Sequence, residues 1–338
     1  MDSSYDFDVA SKCEILVFIE VFTEYCAYDE EKLKVLTNLK TLNSQSVENW
    51  KTQTRKILLN NINSLDKEAL NAVIKISPKN TWETLSKVEL GKNIPEHLTN
   101  WYQNSKTFYK SYVYEQLRLA ALFPKITSEI NTLHPNEITG HEFNQKHFLL
   151  TFDDGPTPVN GNTDKMLKVL SLHNLSAVFY VLGTSLTARK EATSALSLQK
   201  LYQNQSVSSH GFEHNSHQKS LTWKTSIGNT EKLIKDIFTN NTVNFRPPYG
   251  QRTKEIAVYL EKNNSKIILW NLDSQDWNSK ITANEVAERQ ITLMLLWRKG
   301  ILLFHDIHPK AQLAVPIIYN YFKKCSINWV SPSYLDKI

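Results

Sequence analysis

Apolar residues recur every three or four positions from Cys13 to about Ile130, as in Ile15-Leu16-Phe18-Ile19-Val21-Phe22 and again in Leu33-Val35-Leu36-Leu39. That spacing predicts amphipathic helices, joined into helical hairpins by short interruptions. Ser46 ahead of Val47-Glu48-Asn49 and Ser64 ahead of Leu65-Asp66-Lys67 read as N-caps with acids in the first turn, while Ser77-Pro78 and Ile94-Pro95 punctuate. A long helix is predicted over about Leu98 to Leu122, carrying Trp101, Tyr102, Phe108, Tyr109, Tyr112, Tyr114, Leu117 and Leu119. Packing between helices is the first use of such a row, and a sugar groove the second. No fixed-period internal repeat is visible.

Asn131 to Gln145 is polar and turn-rich and reads as a linker, after which the period changes. Short apolar runs stand at His147–Phe152, Ala177–Val181, Lys266–Trp270 and Gly300–Phe304, separated by helical patterns such as Thr163–His173 and Ala283–Arg298. Strands alternating with helices predict an α/β domain, a parallel sheet or barrel with its helices outside, and such folds place functional residues where strands end. The expected organisation is a helical domain over 1–130, a linker over 131–146 and an α/β domain over 147–338.

Composition narrows the class without choosing the chemistry. With 41% hydrophobic and 22% charged residues in 338, the chain is neither fibrous nor wholly disordered. A net charge of +5 is too weak to mark a nucleic-acid partner, and none is expected. No stretch approaches the roughly 18 to 20 consecutive apolar residues of a membrane span. The first eight residues are acidic where a signal peptide is basic, so the chain as written is not targeted. Export to the periplasm or cell envelope is expected, with a leader absent from this sequence; a cytoplasmic location stays open. Cys13, Cys26 and Cys325 cannot all pair internally, and they read as unreactive thiols that fix neither redox compartment nor fold. Nothing in the pattern sets an oligomeric state.

Polar residues gather at the predicted strand ends. Phe152 is followed by Asp153-Asp154-Gly155-Pro156, two adjacent carboxylates that can serve one site only if the backbone turns there. His210 and His214, four residues apart, would share a face over one helical turn, a spacing that suits two imidazoles on one cation; His217 shows that the stretch is simply histidine-rich. Arg246-Pro247-Pro248-Tyr249 offers a rigid cation suited to orienting a carboxylate, and Asp273-Ser274-Gln275-Asp276-Trp277 an anion beside an aromatic wall. Leu303-Phe304-His305-Asp306 closes the set.

Taken in order, Thr-Phe-Asp-Asp at 151–154, His-x-x-x-His at 210–214, Arg-Pro-Pro-Tyr at 246–249, Asp-x-x-Asp-Trp at 273–277 and Leu-x-His at 303–305 resemble the five motifs of the polysaccharide deacetylase (NodB-homology) family of carbohydrate esterases. The resemblance covers about His147 to Val330 and implies a distorted (β/α) barrel of seven or eight strands, preceded here by an all-α domain. It implies hydrolysis of an N-acetyl group on an amino sugar. Asp154, His210 and His214 would bind one divalent metal, zinc first and cobalt, nickel or manganese as alternatives. Asp153 would be the base, oriented by Arg246, and His305 the acid, tuned by Asp276, with Asp306 and His308 as rivals for the acid. The backbone N–H of Tyr249 would face the oxyanion, and Trp277 and Leu303 would wall the acetyl methyl. Gly211 departs from the hydroxyl-bearing residue frequent at that position, which bears on the rigidity of the metal loop. Peptidoglycan N-acetylglucosamine is the expected substrate, with chitooligosaccharide or exopolysaccharide as alternatives. A glycosidase using Asp153 and Asp154, and an inactive sugar-binding module, are the rival readings.

Overall fold

The computed structural model describes residues 1–238 and 243–338, and these divide into two compact units. The first takes in Met1–Asn131 with Thr292–Arg298 and Lys324–Ser326; the second takes in Thr132–Ile291, Lys299–Lys323 and Ile327–Ile338.

The first unit is helical, as its period predicts: α1 (Ser4–Cys26), α2 (Glu30–Thr37), α3 (Ser44–Asn63), α4 (Lys67–Asn71), α5 (Trp82–Leu85), α6 (Leu90–Asn93) and α7 (Thr99–Leu122). α1 and α7 are its axis. Phe7, Ile15, Phe18 and Phe22 of α1 are buried, and the ring of Phe18 lies 5.3 Å from that of Tyr109 on α7 in an edge-on contact. Tyr102, Tyr109, Tyr112 and Leu117 are buried, so the α7 aromatics serve packing rather than a groove. The predicted caps shift. Asn43 caps α3, its side chain accepting from the Ser46 backbone N–H, and Ser64 is the C-cap of that helix instead of an N-cap. Asx side chains compete well for helix starts, and the sequence places Asn43 one residue before the periodic run. Among the described residues, Cys13, Cys26 and Cys325 form no disulfide.

The second unit alternates strands and helices: β1 (Glu137–Ile138), β2 (His147–Asp153), α8 (Asn162–Leu172), β3 (Ala177–Val181), α9 (Gly183–Ala192), α10 (Ala195–Leu201), β4 (Ser206–Ser209), α11 (Trp223–Ile237), α12 (Lys254–Lys262), β5 (Ile267–Ile268), β6 (Leu272–Asp273), α13 (Ala283–Trp297, whose end is counted with the first unit), β7 (Gly300–His305), α14 (Lys310–Phe322) and β8 (Asn328–Trp329). Among the described residues every strand pairing is parallel, in the order β4-β3-β2-β7-β6, with β8 also on β2 and β1 on β5. Phe245 bridges Ser209 at the end of β4 to Ile267 of β5, so a single residue carries the array across. This is the distorted (β/α) barrel with external helices. β2 is central and buried on both faces, as its unbroken apolar run requires.

The stretch 131–146, expected as a linker, contains a short strand. Glu137–Ile138 pairs with β5, and the Glu137 carboxylate is wholly buried against Arg252 at 2.5 Å. A polar, turn-rich sequence hides this because the apolar part of the strand is only two residues long.

Candidate active site

The motif residues converge on the C-terminal ends of the parallel strands, where such folds place their sites. β2 ends in Asp153, and Asp154 follows in the left-handed region (φ 80°). That conformation, uncommon for a residue with a side chain, is the turn that lets two successive carboxylates face the same space. His210 leaves the end of β4, and Gly211 takes φ 87°. The segment His210 to His214 is therefore an irregular loop and not the helical turn its spacing suggested; the bend at Gly211, available to glycine without cost, does what a helix face would have done.

Asp154, His210 and His214 meet. The Nε2 atoms of His210 and His214 each lie 3.4 Å from Asp154 Oδ1, and the three donor atoms are all within 4.8 Å of one another. Asp154 Oδ1 is buried and accepts no hydrogen bond among the described residues. His210 Nδ1 lies 2.7 Å from the Arg246 carbonyl, an acceptor only, so Nδ1 carries the proton and Nε2 offers its lone pair to the cluster. Burial, with the neighbouring His214, holds His210 well below the ordinary histidine value and so neutral. One orphaned carboxylate oxygen facing two imidazoles, one of them neutral with its tautomer fixed from behind, fits a divalent cation of the N/O-ligated kind.

Two ion pairs flank this cluster. Arg246 is fully buried and donates from Nη1 to Asp153 Oδ1 at 2.8 Å and to Thr151 Oγ1 at 2.7 Å, from Nε to the Ile268 carbonyl and from Nη2 to the Leu269 carbonyl. Its guanidinium sits 4.1 Å from the Tyr180 ring centroid. Burial pushes the Asp153 carboxyl up to about 6, with Arg246 pulling the other way, so it is mostly ionised at neutral pH. On the other flank, His305 at the end of β7 sets Nδ1 2.8 Å from Asp276 Oδ1 and donates its backbone N–H to Asp276 Oδ2 at 2.8 Å. Burial alone would lower the imidazole; the hydrogen bond and charge of Asp276, with Asp153 and Asp154, outweigh it and push His305 up to about 10.

The residues expected to meet the substrate divide. Trp277 is 53% exposed and Tyr249 58%, while Leu303 is buried in the barrel core with Val178 and Tyr180. Tyr249 has φ 59° and stands edge-on to His214 at 4.5 Å between centroids. Of the two rivals to His305, Asp306 is buried, accepts from Thr163 Oγ1 at 2.6 Å and is pushed up to about 7 by burial, and it lies where a Cβ on Gly155 would be. His308 is held low by partial burial. Reading by motif gave no supporting role to three groups: Thr151, which opens the first motif and whose hydroxyl also donates to the Leu302 carbonyl; the Asp306–Thr163 brace under the Asp153-Asp154 turn; and Arg252, which links Glu137 to the Gly250 carbonyl beside Tyr249. Only Thr151, two residues before Asp153 on the same strand face, carried a local signal.

A parallel barrel with buried carboxylate–arginine and carboxylate–imidazole pairs on either side of an Asp-His-His cluster is an arrangement suited to metal-assisted hydrolysis. Residues 140–268 match the family model for polysaccharide deacetylase. Over that stretch, somewhat more than a third of the chain, it is similar to the carbohydrate deacetylases of that family. It is 27% identical over 217 residues to a peptidoglycan-N-acetylglucosamine deacetylase of Bacillus cereus, covering 62% of this chain and 76% of that protein. It is 33% identical over 165 residues to the peptidoglycan-N-acetylglucosamine deacetylase PgdA of Listeria monocytogenes, 48% of this chain but only 33% of that one. Among solved structures, a peptidoglycan N-acetylglucosamine deacetylase superposes with a TM-score of 0.53 at 20% identity, over 59% of this chain and 92% of the other. A pseudoenzyme of the same fold from Bacillus anthracis gives 0.51 at 19%, over 61% and 70%. The fold is thus common to active and inactive proteins, and activity has to be argued from the site.

Proposed function

We propose that the protein is a metal-dependent deacetylase that removes N-acetyl groups from N-acetylglucosamine units of a polysaccharide, with peptidoglycan as the substrate and chitooligosaccharide as the alternative. The observation that carries this is the orphaned Asp154 Oδ1 facing two imidazoles, between one carboxylate paired to Arg246 and one imidazole paired to Asp276. Peptidoglycan deacetylases among its relatives support the substrate.

A divalent cation held by Asp154, His210 and His214 would polarise the acyl oxygen and acidify the attacking water. Asp153 takes the proton from that water, and Arg246 keeps its carboxylate ionised and aimed. The Tyr249 backbone N–H faces the oxyanion that attack creates. His305 hands its proton to the departing amine, and Asp276 fixes both the ring plane and the tautomer from the Nδ1 side, leaving Nε2–H toward the substrate. Trp277 lies where an exposed aromatic face can hold a sugar or its acetyl methyl, and Leu303 acts from beneath, through the core. Catalysis at a cell wall would need an exported chain, and export is part of the proposal.

The test is acetate release from N-acetylglucosamine oligomers and from purified peptidoglycan, after metal removal by chelator and again after restoring Zn²⁺ or Co²⁺. Metal-restored acetate from either substrate supports the reading and ranks the two; new reducing ends without acetate would replace it with a glycosidase. No acetate, with metal bound, would place the chain with the inactive members of its fold.

A further inference from the structure

His214 is the least secured member of the metal cluster. His210 is pinned by its bond to the Arg246 carbonyl and is buried, whereas the His214 ring is half-buried and, among the described residues, holds no hydrogen bond of its own. Its position therefore follows the backbone of residues 211–215, which has neither helix nor sheet to stiffen it.

A three-link relay grips that backbone from outside. The Phe212 N–H donates to Ser226 Oγ at 2.8 Å, Ser226 Oγ lies 3.0 Å from His217 Nε2, and His217 Nδ1 lies 2.9 Å from the Asn215 carbonyl. The direction of every link is fixed. A carbonyl only accepts, so Nδ1 is the protonated nitrogen, Nε2 is the acceptor, and the Ser226 hydroxyl donates to it while accepting from Phe212. The relay thus clamps the two residues, Phe212 and Asn215, that bracket Glu213 and His214. Its outer members are well anchored: Ser226 belongs to α11, and the buried His217 ring stands edge-on to Phe245 at 5.1 Å. The clamp also explains the glycine. A Cβ at position 211 would lie 2.5 Å from His217 Cε1 and 2.9 Å from Nε2, so the imidazole occupies the space a side chain would need.

We propose that Ser226 and His217 are positioning residues that hold the 210–215 loop, and His214 with it, in the geometry that binds the metal. This rests on the metal-site reading of Asp154, His210 and His214. Neither residue reaches the reacting atoms; both act through the backbone.

The experiment measures the affinity of the full chain for Zn²⁺ and Co²⁺ by competition with a chelator. Ser226→Ala should weaken binding about 10- to 100-fold, the range for removing a partner that orients a ligand. His217→Ala should cost a similar factor, and Ser226→Thr, which keeps the hydroxyl, should bind within a few-fold of the parent. Because the three links form one chain, the double variant should be no worse than either single one. Acetate release at saturating metal should recover in Ser226→Ala while KM for sugar stays put, a split that general unfolding would not produce. Unchanged metal affinity in Ser226→Ala, or fully additive losses in the double variant, overturns the proposal. Should Ser226→Ala fold poorly, Ser226→Thr and His217→Ala decide by themselves. Failure of the parent chain to take up metal would instead overturn the metal-site reading, and this inference with it.

Discussion

Two substitutions separate the proton carriers from the scaffold at the level of single side chains. Asp153→Asn keeps the shape and the hydrogen bond to Arg246 Nη1 but removes the basic charge, so turnover should fall by about 10²–10⁴ while bound metal, measured by elemental analysis, remains near one equivalent. A variant that keeps its turnover would remove Asp153 from the role of base. Asp276→Asn tests the acid. His305 sits at about 10 because Asp276 overcomes burial, and an acid must be protonated to act, so the activity it supports is full below that value and lost above it. With the charge gone, the main contribution opposing burial is lost and the alkaline limb of the kcat/KM profile should move to lower pH. An alkaline limb left in place would mean that a group other than His305 sets it. The residues proposed for these roles stood out in the sequence because Asp153 and His305 end predicted strands and Asp276 follows closely on a third. The Asp306–Thr163 brace was not, since its two members lie 143 positions apart and neither is unusual in its local setting.

Among the helices, period identified α1, α3 and α7 but said nothing of the polar contacts between them. Glu14 lies on the buried face of α1, where it accepts from Trp101 Nε1, Ser105 Oγ and Tyr109 Oη of α7. Burial, opposed by these three bonds, pushes its carboxyl up to about 7. An acid whose folded value is raised binds its proton more tightly when folded, so its contribution is greatest below the ordinary value of 4.5 and declines as pH rises through about 7, then levels. The helical unit should accordingly lose on the order of 3 kcal/mol of stability from this group between pH 4.5 and 8. Glu14→Gln, which has no charge to bury, should flatten that slope in urea unfolding followed at several pH values. An unchanged slope would locate the pH dependence elsewhere, in Asp306 or the histidines. A periodic pattern cannot reveal such a group, because a glutamate facing the helix interior looks in sequence like one lapse in an otherwise apolar stripe.

The period changes from near 3.6 to alternating strands and helices near residue 140, but nothing in it shows that Thr292–Arg298 and Lys324–Ser326 are counted with the first unit. Helix α13 starts in the second unit and ends in the first. Its last residues, Leu293-Met294-Leu295-Leu296-Trp297, form an unbroken apolar run, the mark of a helix end covered on all sides, and that was the one signal available. Within the first unit Ser11 Oγ donates to the Leu295 carbonyl, Asn61 Nδ2 to the carbonyls of Leu296 and Trp297, and Trp297 Nε1 to Tyr112 Oη. Arg298, just past the helix, pairs with Asp8 at 2.7 Å, both buried. Cutting the chain to residues 132–338 would strip all of these partners at once. Removing one partner of a buried ion pair alone costs about 3–5 kcal/mol, and exposing the Trp297 and Leu296 side chains adds to it. That approaches the whole stability of an ordinary domain, about 5–15 kcal/mol. The truncated chain should therefore be insoluble or aggregated by size-exclusion chromatography, the outcome expected if the helical segment serves folding. A soluble, monomeric 132–338 fragment that releases acetate from short oligomers but not from peptidoglycan would give the helices the other role, that of docking the polymer.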